Sequence, residues 1–543
     1  MHLLLRTIKS IVIAVGCSSS IVLTAYAEPI AKLYSGEGIV EVQTSGIGEW
    51  RAVSAGAALS GGDVVQTKDD SRAAILFNDG ILVRLNENAL IEVETPGQTQ
   101  EVSVKRGLGF FFSRKPKRFP RVTTPLVSAA VRGTEFVVRV ADGSSSIEVL
   151  DGAVEASNTH GVVRLKSGEA ADVVTGAAPT KRVIVDAADS VQWALYYPAI
   201  ISAEALERVS AAGPSAQRSV ALYRAGKSHA ALQEIAASVL ASDPLLALYA
   251  AGLYLEFGQL NSARELHSSL EQRLGSVEQW DSSSAALYFA QRAVIALTRG
   301  ERRLAEEHIQ RALEADRKSL PTLLAASYVA QAKLDLEGAL TFVREGISLA
   351  SRDPRLLARA ASLELSLGNH EYADQLAQAA LVESPHNFEA MSLAGFTALI
   401  RYRAEEAEQH FRSALTHSGG SGLPFLGLGL SLIRQGRLTQ GRLELQKAVG
   451  MEPGLALYRS YLGKALFEEE SEELALAEYD RAIALDPEDP TSYLYRAYSH
   501  LSNNDVVDAL RDVEDSIARN NNRAVYRSSL LLDKDSAVRS AGL

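Results

Sequence analysis

Residues Thr123–Val140 read TTPLVSAAVRGTEFVVRV. A proline and small residues lead into Val131-Arg132-Gly133-Thr134, and a tight run of β-forming residues follows. Two readings compete. The stretch is either an active-site loop, with Arg132 and Thr134 held out by a glycine, or a corner that a β-domain needs in order to fold. General acid–base chemistry requires a carboxylate or histidine partner at a defined place. The nearby acids, Glu135 and Asp142, sit at a strand start and in a turn. The residues therefore favour a structural role, in which Gly133 makes a bend, Thr134 begins the strand, and Val131 and Phe136 pack inward.

The surroundings are β-rich. RAAILFNDGILVRL (72–85) places two apolar runs around Asn78-Asp79-Gly80, a hairpin signal because glycine takes positive φ without a Cβ clash. TEFVVRV, SIEVL, AVEAS and VVRL are separated at Gly143, Gly152 and Gly161, nine residues apart. That spacing predicts antiparallel strands of a sandwich or barrel. In order along the chain, GEGIVEVQ, LSGGDVVQT, LNENALIEV, TTPLVSAAVRGTEFVV, VLDGAVEASN and LKSGEA resemble the FecR domain. The resemblance implies a periplasmic β-module, best known as the outer part of an anti-sigma regulator, in which Val131, Arg132, Gly133, Thr134 and Phe136 form a structural motif. Those regulators carry a cytoplasmic region and a membrane span ahead of the β-domain. Here a signal peptide is expected there instead, so transcriptional regulation is not carried over.

The signal peptide is read from residues 1–27, where Arg6 and Lys9 precede IVIAVGCSSSIVLTAYA and small residues sit at Ala25 and Ala27. A membrane anchor is the competing reading, but three serines interrupt the apolar run well short of the ~20 residues a span needs. Cys17, the single cysteine, lies in this segment after Gly16, so lipidation there stays open. A cut after Ala27 leaves no thiol for a disulfide, a nucleophile or a thiolate metal site. The expected location is the periplasm or the outer membrane. Net charge is −11, and most of it lies after residue 186, since 28–186 hold 18 basic against 20 acidic residues. Such a balance argues against nucleic acid as a partner.

GFFFSRKPKRFPR (109–121) sets Arg114, Lys115, Lys117, Arg118 and Arg121 among phenylalanines and prolines. Lys105 and Arg106 precede it, and no acid interrupts 102–121. The plain account is a solvated loop or edge strand, where positive charge discourages edge pairing. The functional account is an anionic contact with lipid headgroups, with an envelope polymer such as peptidoglycan, or with the acidic C-terminal part of the same chain.

From about residue 213 the chain is alanine- and leucine-rich with helical periodicity. A period of 34 holds from Ala286 over seven units. Small residues recur at the eighth position as Ala293, Ser327, Ala361, Gly395, Gly429, Gly463 and Ala497, and again at the twentieth and twenty-seventh. The twenty-fourth is bulky at Ile309, Val343, Phe411, Leu445, Tyr479 and Val513, with Ala377 the exception, and Pro385, Pro453 and Pro487 fall at the thirty-second. Small residues let two antiparallel helices approach, and the bulky one fills the groove between pairs. The pattern resembles tetratricopeptide repeats, most clearly in LGKALFEEESEELALAEYDRAIALDP (462–487). Two weaker units precede it, and EQRLGSVEQWDSSS (271–284) then breaks the register.

The expected architecture is multidomain. A signal peptide (1–27) leads to an all-β, antiparallel FecR-like domain (28–183). An aromatic linker (184–212) containing Trp193, Tyr196 and Tyr197 joins it to an all-α repeat solenoid (213–521), and a helical tail (522–543) follows. The first helix of each repeat is expected to line a concave groove, which places Tyr328, Phe396, Lys464 and Tyr498, with Tyr461 and Tyr495, as peptide anchors or as packing between helices. The histidines show no metal-ligand spacing. GLPFLGLGLSLIRQG (422–436) lacks the strand and lysine of a nucleotide loop. The chain is thus expected to be a non-enzymatic envelope scaffold that needs no cofactor or metal, has no transmembrane helix once processed, and binds envelope proteins through its repeats. A signal-receiving module of an outer-membrane sensing system, and a peptidoglycan- or polysaccharide-binding protein, are the alternatives.

Overall fold

The computed structural model describes residues 29–519 except 70, 94–100, 115–120, 185–199, 202, 225–227, 237–243, 257–258, 299–300, 334, 418–420 and 488. The expected signal peptide, Trp193, Tyr196, Tyr197, the tail, and Lys115, Lys117 and Arg118 all lie outside the described residues.

Strands β1 (Ala31–Glu37), β2 (Val40–Gln43), β3 (Arg51–Ala52), β4 (Ala58–Leu59) and β5 (Val64–Thr67) open the first module. β6 (Arg72–Phe77) and β7 (Leu82–Leu85) form the expected hairpin, with Gly80 at φ 89°. β8 (Leu90–Val93), the long β9 (Glu101–Phe112) and β10 (Arg121–Thr123) follow. β11 (Ser128–Ala141), β12 (Ser144–Asn158), β13 (Gly161–Lys166), β14 (Glu169–Val174) and β15 (Thr180–Val183) complete it. The main path of pairing runs β15-β14-β12-β11-β10-β9-β7-β6-β1-β4, and β2, β3, β5 and β8 branch from it through β8–β9.

The structure alters two local expectations. Thr134 does not start a strand: β11 is already paired from Ser128, and the motif lies at a register irregularity between Gly133 and Phe136. SIEVL and AVEAS are one strand, β12, which carries Gly152 at φ 95° directly across from Gly133. The first half of β12 pairs with β14 and the second half with β13, so the strand must bend where it changes partner. Glycine tolerates that bend at its positive φ.

Alternation along the strands divides their side chains between two cores. Phe111 stacks on Phe136 with centroids 4.8 Å apart, inside the β-domain core with Ile75, Val83 and Val138. Phe110, Phe112, Leu82, Val137 and Ala74, one residue out of phase, join a second core that is continuous with the helices. The sheet is therefore buried on both faces here, and its strands read as unbroken apolar runs.

Helix α1 (Ala203–Ala211) lies within the stretch read as linker. It is followed by α2 (Pro214–Arg224), α3 (Ser228–Ala236), α4 (Pro244–Glu256) and α5 (Leu260–Leu274). Seven regular pairs come next. They are α6 (Ser282–Thr298) with α7 (Arg302–Ala315), α8 (Leu320–Ala332) with α9 (Leu336–Leu349), and α10 (Pro354–Ser366) with α11 (His370–Glu383). Then come α12 (Phe388–Ile400) with α13 (Ala404–Leu415), and α14 (Leu423–Arg434) with α15 (Leu438–Met451). Last are α16 (Ala456–Glu468) with α17 (Glu472–Leu485), and α18 (Pro490–Ser502) with α19 (Val506–Ala518). Prolines 385, 453 and 487 each fall two residues past a helix end.

The small eighth position does what its spacing implies. A Cβ on Gly395 would lie 2.7 Å from the Phe411 ring, and one on Gly463 2.6 Å from Tyr479. Gly463→Val is accordingly expected to overpack the α16–α17 contact and cost about 1–3 kcal/mol. Urea unfolding followed by far-ultraviolet circular dichroism measures it.

Candidate functional site

The outer face of the sheet meets the solenoid at α14–α17, and the joint is built around charge. Phe110 and Phe112 point outward from β9, so residue 114 continues on the same face. Arg114 is buried there, its guanidinium 4.7 Å from the Phe112 ring. Its Nη2 donates to Glu135 at 2.6 Å, its Nη1 lies 3.4 Å from Asp151, and its Nε donates to Glu478 of α17. Arg459 of α16 approaches from the helical side. It grips Glu135 through both terminal nitrogens, at 2.7 and 3.0 Å, reaches Glu478 at 3.2 Å, and donates from Nε to the Pro453 carbonyl at 2.9 Å. Arg114, Glu135, Arg459 and Glu478 are all at most 5% exposed.

Two guanidinium groups and two carboxylates thus neutralise one another across the modules. Burial alone would raise the Glu135 pKa, but the positive fields of Arg459 and Arg114 outweigh it and hold the group at about 2. Paired in both directions, these groups escape the penalty of an unmatched buried charge.

Around this cluster, Arg84 of β7 donates to the Met451 carbonyl at the end of α15. Gln446 approaches the Gly80 carbonyl at 3.4 Å, and Tyr34 packs on Phe425 with centroids 5.3 Å apart. Gly450 is tight against Leu82, which leaves no room for a side chain.

A second contact lies further back along the repeats. Ile200 and Ile201, the residues just before α1, are buried in the helical core. The Ile200 carbonyl accepts from Gln291 of α6 at 3.0 Å, and the Ile201 carbonyl accepts from Arg355 of α10. The side chain of Ile201 lies against Gly252 of α4, where a Cβ would sit 2.6 Å away. Two successive carbonyls of an incoming segment are therefore held by side chains of first helices from different pairs.

Glu256, at the end of α4, is pushed up to about 7 by burial, with repulsion from Glu37 of β1 and Glu389 of α12 added. Its folded pKa lies above its ordinary 4.5, so the stability it contributes is complete below about pH 4.5 and falls as pH rises through about 7. Glu135 has the opposite sign, and its contribution is lost as pH falls from about 4.5 towards 2. Relative to the intact protein, Glu256→Gln is therefore expected to gain stability as pH rises from about 5 to about 8. Urea midpoints at about pH 5 and about pH 8 check this.

The anchor residues inferred from the sequence need correction. Phe396, Tyr461 and Tyr495 are 1%, 0% and 1% exposed and are not available to a partner. Phe396 packs edge-on against Phe411 at 4.9 Å, and Tyr495 lies 6.2 Å from Tyr479. Lys464 is buried, bonded to Glu468 at 2.7 Å, and near the rings of Phe467, Tyr495 and Tyr498. Tyr328 and Tyr498 are half-buried, and the Arg359 guanidinium lies 3.9 Å from the Tyr328 centroid.

Of the accounts of the basic stretch, Arg114 follows contact with the acidic C-terminal part of the same chain and not the solvated loop, because Glu478 of the repeats helps hold it inside the joint. Lys105 pairs with Glu92 at 3.2 Å, Arg106 donates to the Asn88 carbonyl at 3.1 Å, and Arg121 is exposed 3.9 Å from Glu101. Phe136 is buried and Val131 half-buried, while the side chains of Arg132, Gly133 and Thr134 lie outside the described ones. Sequence reasoning missed Glu135, Arg459 and Glu478 as functional residues. Arg459 and Glu478 had one signal, a charged residue at inner helical positions of a repeat.

Fold and joint together define a two-module protein, a β-domain antiparallel except for the β9–β10 pair, docked on a helical-hairpin solenoid. The FecR protein family matches residues 63–155, and the tetratricopeptide repeat family matches residues 426–490 and 473–525. The chain thus carries a FecR domain followed by tetratricopeptide repeats. Among solved structures it is similar to the APC/C hetero-tetramer Cut9-Hcn1, at 12% identity and TM-score 0.42. That match covers 52% of this chain and 54% of the other, so the chain spans about half its length. A tetratricopeptide repeat protein from Parabacteroides merdae matches at 18% identity and TM-score 0.34, over 46% of this chain and 98% of its own. A protein from Parabacteroides distasonis, provisionally described as an anti-sigma factor, matches at 23% identity and TM-score 0.23, over 25% and 66% respectively. No curated protein sequence matches the chain. No helix among the described residues is long and apolar enough to cross a membrane.

Proposed function

We propose that this chain is a non-catalytic scaffold of the cell envelope whose repeats recruit partner proteins and whose FecR domain regulates access to them. Tetratricopeptide repeats are interaction modules that take peptides on the face made by their first helices. The observation that carries the reading is that this chain fills part of that face itself. The β-domain covers it at Phe425 and Arg459, and Ile200–Ile201 lie across Gln291 and Arg355. Partner binding then competes with docking, and a signal that loosens the joint opens the scaffold. The half-buried Tyr328 and Tyr498 are the inner aromatics that remain for first contact.

Photo-crosslinking residues placed at Tyr328 and Tyr498 in intact cells test this. Reproducible adducts with envelope proteins are expected, and Arg459→Ala should increase them. The absence of adducts in both the intact and the Arg459→Ala protein would remove the scaffold reading.

The FecR match favours a sensing role as the second reading. There the β-domain receives a signal from an outer-membrane protein, and deletion changes transcription of a target operon. An unchanged transcriptome under envelope stress and iron limitation counts against it. Binding of peptidoglycan or anionic lipid now rests on Lys115, Lys117, Arg118 and Arg121, since Arg114 is engaged within the chain.

A further inference from the structure

Beside the charged joint, a cleft of about 380 Å³ opens between the two modules. One wall comes from β1, β6 and the turn into β7, and the other from α13–α15. We propose that this cleft binds a small amphiphilic anion, a carboxylate or phosphate head on a short apolar body, and that the ligand bridges the modules.

Three features support this assignment. The size falls within the range of small-molecule sites, which favour domain interfaces and combine apolar walls with a few polar groups. Leu76 and Leu82 from the sheet face Leu432 and Leu443 from the helices, giving the apolar body a lining from both sides. The charge of the cleft is the third. Lys32, Arg412, Arg437 and Lys447 line it, against a single lining carboxylate, Glu444.

Much of that positive charge is already positioned. Glu408 holds Arg412 at 2.7 Å and Arg437 at 3.1 Å, and Glu444 holds Lys447 at 2.6 Å. Lys32 has no carboxylate partner among the described residues, and its ammonium lies 5.8 Å from the Tyr34 centroid. Four cations face two carboxylates, so an anion completes the balance. Asn78 and Gln446 each donate one amide hydrogen, to the carbonyls of Pro29 and Gly80, and Gln440 accepts from Arg437 at 2.7 Å. The cations supply the charge that recognises an anionic head.

The ligand would touch both modules at once, so binding should tighten their docking. That links a soluble signal to the joint. The site stands whether or not the repeats recruit an envelope protein.

Isothermal titration and thermal melting of the full chain with octanoate, octyl phosphate, octylammonium and inorganic phosphate test it, all below micellar concentrations. Octanoate and octyl phosphate are expected to bind one per chain and raise the melting temperature. Octylammonium and inorganic phosphate should bind at least tenfold more weakly. Lys32→Ala with Arg437→Ala changes two exposed residues and should weaken octyl phosphate at least tenfold without altering the circular dichroism spectrum. Leu443→Trp should block both amphiphiles. Equal binding of octanoate and octylammonium, inorganic phosphate as tight as octyl phosphate, undiminished affinity in the Lys32–Arg437 variant, or no binding by any probe would each overturn the proposal.

Discussion

Arg459→Ala is expected to destabilise the protein by about 3–5 kcal/mol, because it leaves a buried carboxylate without its main partner. The loss should fall on the joint. Glu135 accepts two of its bonds from Arg459, at 2.7 and 3.0 Å, and without them Arg114 must serve both Glu135 and Glu478, helped only by the field of Arg481. Urea unfolding monitored separately on the sheet and on the helices should show transitions that coincide in the intact protein and separate in the variant. Removing the charges together distinguishes lost pairing from lost packing. Glu135→Gln with Arg459→Met should cost much less than Arg459→Ala, since nothing charged is then stranded at that contact. Additive losses from the two single changes would show that the pair does not act as a unit.

Phe111→Ala and Phe112→Ala should each cost about 3–5 kcal/mol, but in different places. Phe111 stacks on Phe136 within the β-domain, whereas Phe112 belongs to the core shared with the helices. Hydrogen exchange read by mass spectrometry resolves the two. Phe111→Ala should speed exchange in β11 and β12. Phe112→Ala should leave those strands protected and expose α15 and α16. The same exchange pattern in both variants would contradict the division of these neighbours between two cores.

The same neighbours show what could be read from the chain. The period of 34 exposed the helical pairs because a small eighth residue meets a bulky twenty-fourth, as at Gly395 and Phe411, Gly429 and Leu445, and Gly463 and Tyr479. That contact is local in sequence and repeats along the chain. The β-domain was legible through its glycine turns and its family motifs. The joint was not, because its partners are remote: Arg114 and Glu478 are separated by 364 residues, and Glu135 and Arg459 by 324. Contact of the basic run with the acidic C-terminal part of the chain was one account open from the sequence, but nothing there singled out Glu478 as the partner of Arg114. Three consecutive phenylalanines signal a sheet buried on both faces, but they do not say what covers the second face. The inner aromatics illustrate the same limit, since their positions on first helices were legible and the cover over that face was not. Gly152 separates two apparent strands in the sequence, yet it is a bend within one strand whose partner changes midway.

The central claim is that the β-domain is docked on the repeats in solution. In a Cys17→Ser background, Leu82→Cys with Gly450→Cys places two thiols across the joint, where a Cβ on Gly450 would lie 3.5 Å from Leu82 Cγ. Docking predicts that a disulfide closes within single chains under mild oxidation, and that adding Arg459→Ala slows the closure severalfold. Thiols that stay free, or that close equally fast with and without Arg459, would contradict it.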